Sequence, residues 1–235
     1  MIDEAMIFSA GLGTRMLPLT KTIPKPLIKI NKKSILVNNI EKLVKSGFSN
    51  IVVNAFHFPD KIHEEVISFY PKVKVVVEEE RLETGGGLLN ALKKDFFKKD
   101  APILVINGDV FWVNKEYQTL DRIRNFWKSK DMDVLLCLQR KEGFFGYKGD
   151  GDFDLLNANK LVSQIILKKK PRFVFTGLQI IKQEILHKIN KKIFSTKEVI
   201  LSSIKEGRAC GYLEENPWYH IGTMNDLENF KKINE

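Results

Sequence analysis

The chain has 235 residues, 43% of them hydrophobic, which is enough for one sizeable core. Lys and Arg number 38 against 29 Asp and Glu, a formal charge of +9, yet the lysines are spread through "KKSIL", "KKDFFKKD", "KKKPRF" and "INKKIF" with no aromatic-basic module; a solvated basic face is expected, and no nucleic-acid partner. No run approaches the roughly 18 apolar residues of a spanning helix, and "MIDEAMIFSAG" carries acid where a signal peptide carries positive charge, so the expectation is a cytoplasmic protein with no membrane partner.

In chain order, "EAMIFSA" (4–10) is a short apolar run ended by glycine and reads as a buried strand. The spacing of Ile35, Leu36, Ile40, Leu43 and Val44 predicts a helix over 34–47, followed by the strand "NIVVNAF" at 50–56. A helix over 60–70, a strand over 73–79, a helix over 87–97 and the strand "PILVING" repeat the alternation. A helix over 119–130 and the strand "DVLLCLQ" follow. Strands alternating with helices imply an α/β, Rossmann-like, mostly parallel sheet with helices on both faces, whose ligands bind at the carboxyl ends of its strands. Beyond about residue 140 the rhythm changes: "GFFGYKGDGDFDLL", "KLVSQIIL" and "RFVFTGLQII" lack long intervening helices and predict a small β-rich part. Helices "KQEILHKI" (182–189) and "TKEVILSSIKEG", a strand "ACGYLEE", the segment "NPWYHIGT" and a helix from Met224 to Ile233 complete the chain. A single domain is expected, with a first part over 1–140, a second part over 141–222 and a C-terminal helix over 223–235. Cys137 and Cys210 sit in apolar runs without CxxC spacing, which predicts buried free thiols. Isolated surface apolars leave the oligomeric state open.

The loop "SAGLGTRMLPLTKTIPKPL" (Ser9–Leu27) carries the strongest chemical signal. A dinucleotide fingerprint needs glycine where Met16 stands, and a P-loop needs G-K-[ST], which is absent. What remains is a glycine-rich strand-to-loop turn whose amides suit phosphate, with Arg15 as a guanidinium fork and Lys25 as a charge fixed between Pro24 and Pro26.

"GLGTRMLPLT" followed by "PKPL" resembles, without a gap, the signature of the sugar-nucleotidyltransferase family, the nucleoside-diphosphate-sugar pyrophosphorylases. The resemblance implies a GT-A-like nucleotidyltransferase fold, with a nucleotide-binding core over 1–140 and a small β-rich sugar-binding lobe over 141–222, and catalytic roles for Arg15 and Lys25. By the same resemblance Ala10, Gly11, Leu12, Gly13, Thr14 and Asn107 would bind nucleotide, joined by Glu83, Thr84, Gly85 and Gly86 from "ETGGGLLNAL", whose glycines would let backbone approach a flat ring. A plain helix-start turn is the other reading of that triple glycine. Asp109 of "NGDV" matches the family's strand-end aspartate, expected to bind Mg²⁺. Within the family, "LETGGG", "GDGDFDLL" and "FTGLQII" leading to "WYHIGT" resemble the short enzymes related to N-acetylmuramate-1-phosphate uridylyltransferase. That likeness implies sugar contacts from Asn54, Gly108, Gly151, Asp152, Phe153, Thr176 and Gly177, with core packing as the other reading of Phe153.

Two departures bear on function. Where many relatives read W-x-D-x-G-T, this chain has His220, and a neutral imidazole is a poor replacement for a carboxylate on Mg²⁺. His220 is thus expected beside Asp109 at the metal or on substrate phosphate, with a satisfied structural histidine as the other reading. The E-K-P sugar-site element of larger hexose-1-phosphate enzymes is missing. The expected partners are a nucleoside triphosphate and a sugar 1-phosphate, most closely UTP and N-acetylmuramate 1-phosphate of cell-wall recycling. A mannose-1-phosphate guanylyltransferase, a glucose-1-phosphate nucleotidylyltransferase and a non-catalytic sugar-nucleotide sensor are the alternatives. For the carboxylate of a muramate, Lys148, Arg140 and Arg172 are the cationic candidates.

Overall fold

The structure, a computed structural model, describes residues 2–30, 32–128 and 130–234. It opens with β1 (Glu4–Phe8), buried along its whole length, and a loop containing three single 3₁₀ turns at Thr14–Met16, Leu19–Lys21 and Lys25–Leu27. The short pair β2 (Lys29–Ile30) and β3 (Lys33–Ser34) leads into α1 (Ile35–Lys45). Ser34 caps that helix, its hydroxyl accepting from the Val37 amide at 3.1 Å. Then come β4 (Asn50–Ala55), α2 (Pro59–Phe69), β5 (Lys74–Val77), α3 (Glu83–Lys93) and β6 (Ile103–Asn107). They are followed by β7 (Val110–Trp112), α4 (Thr119–Phe126), β8 (Val134–Arg140), β9 (Phe144–Phe145), β10 (Asp154–Leu155) and β11 (Val162–Ile166). The chain closes with β12 (Phe173–Ile181), α5 (Thr196–Lys205), β13 (Ala209–Glu214), β14 (Trp218–His220) and α6 (Met224–Asn234).

Nine strands form one sheet in the order β10-β11-β13-β8-β12-β6-β1-β4-β5. Only β11 and β12 pair antiparallel to their neighbours on both sides, so the other seven strands run the same way. Alternate side chains divide between two faces. Ala5 and Ile7 pack with Leu36, Ile40, Ile62, Val66, Leu120 and Ile123 of α1, α2 and α4; Met6 and Phe8 pack with Leu88, Leu89, Val199 and Ile200 of α3 and α5. Helices therefore cover both faces, which is why the strands read as continuous apolar runs. The segment beyond residue 140 supplies β10 to β13 to this same sheet, while β9 and β14 join β7 in a smaller three-stranded sheet. Trp112 and Trp218 stack across that smaller sheet at 4.7 Å.

Three expected elements are corrected. The segment 182–189 is not an α-helix but turns with a single 3₁₀ segment at Leu186–Lys188. Eight residues close too few helical bonds to offset nucleation, and here Gln183 donates to the Lys98 and Ala101 carbonyls at 2.7 and 2.8 Å while Ile185 and Leu186 bury against the sheet. Helix α3 begins four residues before the expected start at Gly87 and takes in the glycines. Helix α4 ends at Phe126, short of the expected 130; Ser129 of that prediction lies outside the described residues.

Candidate active site

The carboxyl ends of β1, β4, β5 and β6 converge on the loop that leaves β1. Gly13 has φ 65°, and a Cβ there would come within 2.9 Å of Thr20 Cγ2 and 3.1 Å of Lys25 Cβ, so this turn requires glycine. Its carbonyl accepts from the Thr20 hydroxyl at 2.9 Å and the Met16 amide at 2.8 Å, curling the chain back on itself. Gly11, by contrast, faces open space, with nothing within 4 Å of a Cβ built there. Gly11, Leu12, Gly13, Thr14, Arg15 and Lys25 line one wall of a cleft of about 490 Å³, opposite Asn107, Gly108 and Asp109.

Lys25 is buried and its Nζ donates to Asp109 Oδ2 at 2.6 Å, joining the loop to the end of β6 across 84 residues. Burial works to raise the Asp109 carboxyl, but the Lys25 ammonium and its hydrogen bond, with His220 and Arg15 behind them, hold it below the usual carboxylate range. Asp109 is thus an anion neutralised in place, and Lys25 is a charge whose direction is fixed.

Two further recesses open off this cleft. One, of about 250 Å³, is bounded by Ala10, Gly11, Asn54, Glu78, Glu83 and Thr84. The other, of about 440 Å³, is bounded by Phe144, Tyr147, Lys148, Phe175, Thr176, Gly177 and His220 and shares Arg15, Asn107, Asp109 and Gly222 with the main cleft. Arg15, Asn107 and Asp109 therefore stand at a junction between the two cavities.

A family model described as nucleotidyl transferase matches residues 4–234. The chain belongs to the nucleotidyl transferase family. N-acetylmuramate alpha-1-phosphate uridylyltransferase of Caulobacter vibrioides is 31% identical over 224 residues, covering 93% of this chain and 91% of that enzyme. A mannose-1-phosphate guanyltransferase of Schizosaccharomyces pombe is 28% identical over 95% of this chain, which spans only 62% of that relative's length. Among solved structures, a UDP-glucose pyrophosphorylase complexed with UDP-glucose aligns with a TM-score of 0.82 at 15% identity, over 100% of this chain and 98% of that one. HddC from Yersinia pseudotuberculosis complexed with GMP-PN aligns over the full length of both chains with a TM-score of 0.74 at 24% identity. At these identities the likeness is one of fold.

In this nucleotidyl transferase several expected site residues do other work. Gly85 and Gly86 are buried where α3 meets the chain before α5: a Cβ on Gly85 would lie 2.3 Å from the Phe194 ring, and one on Gly86 would lie 2.3 Å from the Lys192 carbonyl. Both amides donate to Phe194 O, at 2.9 and 3.0 Å. These glycines stand in the first turns of α3 and permit chain to approach chain. Thr84 borders the cleft while its hydroxyl accepts from the Thr196 amide at 2.9 Å. Gly108 brings β6 close to β1, its amide donating to Phe8 O at 2.8 Å.

Of the residues expected to contact sugar, Thr176 and Gly177 line the 440 Å³ recess. Gly177 has φ 84° at the register shift in β12, and a Cβ there would meet Asn107 Nδ2 at 2.7 Å. The Thr176 hydroxyl is engaged with Cys137 O at 2.9 Å. Gly151, Asp152 and Phe153 do not line the recess but brace it from behind. Phe153 is core, Asp152 Oδ2 accepts from the Phe175 amide at 2.9 Å, and the Gly151 amide donates to the Tyr147 hydroxyl at 3.0 Å. Asn54 is placed in the other recess, because β4 lies on the far side of β1 from β6. There it accepts from the Ser9 amide at 2.8 Å and donates to Glu78 Oε1 at 2.6 Å. Burial pushes the Glu78 carboxyl up against that hydrogen bond and the one from the Leu82 amide.

His220 borders the recess shared with Asp109. Burial, helped by Lys25 and Arg15, lowers its pKa against the pull of Asp109 and Asp226, which favours the neutral ring. Among the described residues no group of three His, Cys, Asp or Glu could hold a metal ion. Of the two carboxylates on the recess, Asp226 accepts from the Gly222 and Thr223 amides, which leaves Asp109 as the donor for a hard cation held mainly by phosphate oxygens; the imidazole does not fit Mg²⁺. The residues missed by sequence reasoning are Arg81, shared by the main cleft and the smaller recess, Tyr147, and Asp226. Asp226 had a legible signal, T-x-x-D: its Oδ2 accepts from the Thr223 amide at 2.8 Å, and the Thr223 hydroxyl accepts from the Asp226 amide at 3.2 Å.

Proposed function

We propose that this sugar-1-phosphate nucleotidyltransferase joins UTP to N-acetylmuramate 1-phosphate, forming a nucleoside-diphosphate sugar and pyrophosphate. The observation that carries the reading is the junction: Arg15, Asn107 and Asp109 border both the glycine-loop cleft, which suits a triphosphate, and the recess of Thr176 and Gly177, which suits a sugar phosphate. The choice of substrates is supported by the near full-length likeness to the Caulobacter uridylyltransferase.

A sugar-phosphate oxygen forms a bond to the α-phosphorus in line with the bond to the bridging α–β oxygen, which breaks and leaves with pyrophosphate. The nucleophile is already an anion, so no base has to remove a proton, and the chain's work is positioning and charge neutralisation. Arg15 contributes a bidentate fork for phosphate oxygens. Lys25 spends one donor on Asp109 and keeps the others for the phosphates that meet at the junction. A Mg²⁺ ion, when bound, would supply charge neutralisation to the triphosphate, with Asp109 as its carboxylate donor. Losing Arg15 or Lys25 is expected to lower turnover on the order of 10²-fold or more.

The test is a matrix of four nucleoside triphosphates against several sugar 1-phosphates, read by pyrophosphate release with and without Mg²⁺. The expected result is highest kcat/KM for UTP with N-acetylmuramate 1-phosphate. A preference for GTP with mannose 1-phosphate would replace this reading with that of the guanyltransferase relatives, and no release with any pair would indicate a non-catalytic binder.

A further inference from the structure

We infer that Lys148 selects a sugar 1-phosphate that carries a second anion, a carboxylate on a ring substituent. This rests on the proposed reading of the 440 Å³ recess as the sugar-phosphate site and deepens it.

Charge on the recess walls is already apportioned. Of its two carboxylates, Asp109 is paired with Lys25 at 2.6 Å, and Asp226 accepts the Gly222 and Thr223 amides at 3.2 and 2.8 Å. Of the Lys and Arg side chains that line it, Arg15 also borders the triphosphate cleft, where the phosphates meet. Lys148 is the other, exposed and without an ion-pair partner among the described residues.

The two competing cations are committed elsewhere. Arg172 holds Asp154 through Nε at 2.9 and 3.1 Å and through its terminal nitrogen, with its guanidinium 5.4 Å from the Phe173 ring. The Arg140 guanidinium lies 5.6 Å from that same ring, and neither side chain lines the recess. The backbone that carries Lys148 is anchored on both sides. Gly146, at φ 81°, leaves room for His220 O, which a Cβ would approach to 2.5 Å. The Tyr147 hydroxyl accepts from the Gly151 amide at 3.0 Å and its ring stacks on Phe144 at 5.9 Å. A fixed backbone bearing a flexible four-carbon stem and a point charge suits a carboxylate that projects from a sugar already tethered by its phosphate.

N-acetylmuramate and N-acetylglucosamine 1-phosphates differ only in the lactyl ether and its carboxylate, and so isolate the interaction. The wild-type enzyme is expected to favour the muramate substrate in kcat/KM, and Lys148→Met is expected to cut that preference about tenfold, through KM rather than kcat. Lys148→Arg should restore most of it, and added salt should erode the wild-type preference. An unchanged preference in Lys148→Met, equal losses on both sugars, or a wild-type enzyme that turns over both alike would each overturn the inference while leaving the sugar-1-phosphate reading in place. A wild-type enzyme that turns over no sugar 1-phosphate would overturn that reading and the inference together.

Discussion

Gly85→Ala separates two explanations of the triple glycine. If the glycines exist to admit a nucleotide base, the substitution weakens substrate binding and leaves the fold intact. The structure predicts the reverse, because the added methyl would lie 2.3 and 2.4 Å from Phe194 Cε2 and Cδ2 and 2.9 Å from Phe194 O. The Phe194 ring is 1% exposed and packed in the core, so it has no free space to swing into. Alanine gains about 1 kcal/mol of helix propensity over glycine. Against this, overpacking costs about 1–3 kcal/mol, and displacing the Phe194 carbonyl weakens two amide bonds worth about 1 kcal/mol each. A net loss of about 1–3 kcal/mol lowers Tm by roughly 3–10 °C in a chain of this size. The assay is thermal and urea unfolding, paired with KM for the nucleotide. In a Phe194→Leu background the cost of Gly85→Ala should shrink by more than about 0.5 kcal/mol, as expected of residues in contact. An unchanged Tm combined with a large rise in nucleotide KM would refute the packing argument and return Gly85 to the ligand site.

Lys25→Met should lower kcat/KM on the order of 10²-fold or more by pyrophosphate release. With its chief counter-charge gone, Asp109 is left to burial, so the acid limb of the residual activity should move to higher pH; a limb that stays in place would show that Lys25 does not hold Asp109 ionised. Arg172→Met removes the main partner of Asp154, whose carboxyl is held down at about 2 chiefly by the Arg172 hydrogen bonds. A depressed carboxylate stabilises the fold above its unfolded pKa and loses that contribution as pH falls toward its folded value, so the cost of about 1–3 kcal/mol at pH 7 should narrow below about pH 4. Urea titrations at several pH values check this, and a pH-independent cost would contradict it. Cys137 and Cys210 are both free and buried, and burial raises both thiols, so neither should react with a thiol reagent until the protein is unfolded. Rapid labelling of the native protein would count against that burial.

Much of the glycine-loop cleft was legible because its signals are local. The turn at Gly13 and the Arg15–Lys25 spacing lie within one loop, and Asp109 stands directly beyond a strand end, where an α/β sheet collects its ligands. The recess of Thr176 and Gly177 was less so. Asp152 and Phe153 resemble ligand residues in sequence, yet one is taken by the Phe175 amide and the other by the core. Which role such a residue plays depends on a partner strand brought in from elsewhere in the chain, and sequence spacing does not carry that information.

By itself the sequence determined the alternation of strands and helices, the exclusion of both common phosphate loops and the placing of Arg15 and Lys25 in one glycine-rich loop. Only the tertiary structure decided that Lys25 is locked to Asp109, that Gly85 and Gly86 pack against Phe194, that Asn54 falls in a different recess from Thr176, and that Lys148 is left uncommitted beside the recess of Thr176. The physical reason is that hydrophobic periodicity and turn geometry act over a few residues. A side chain's charge and hydrogen bonds, by contrast, are claimed by whichever neighbours the folded sheet places within about 3 Å.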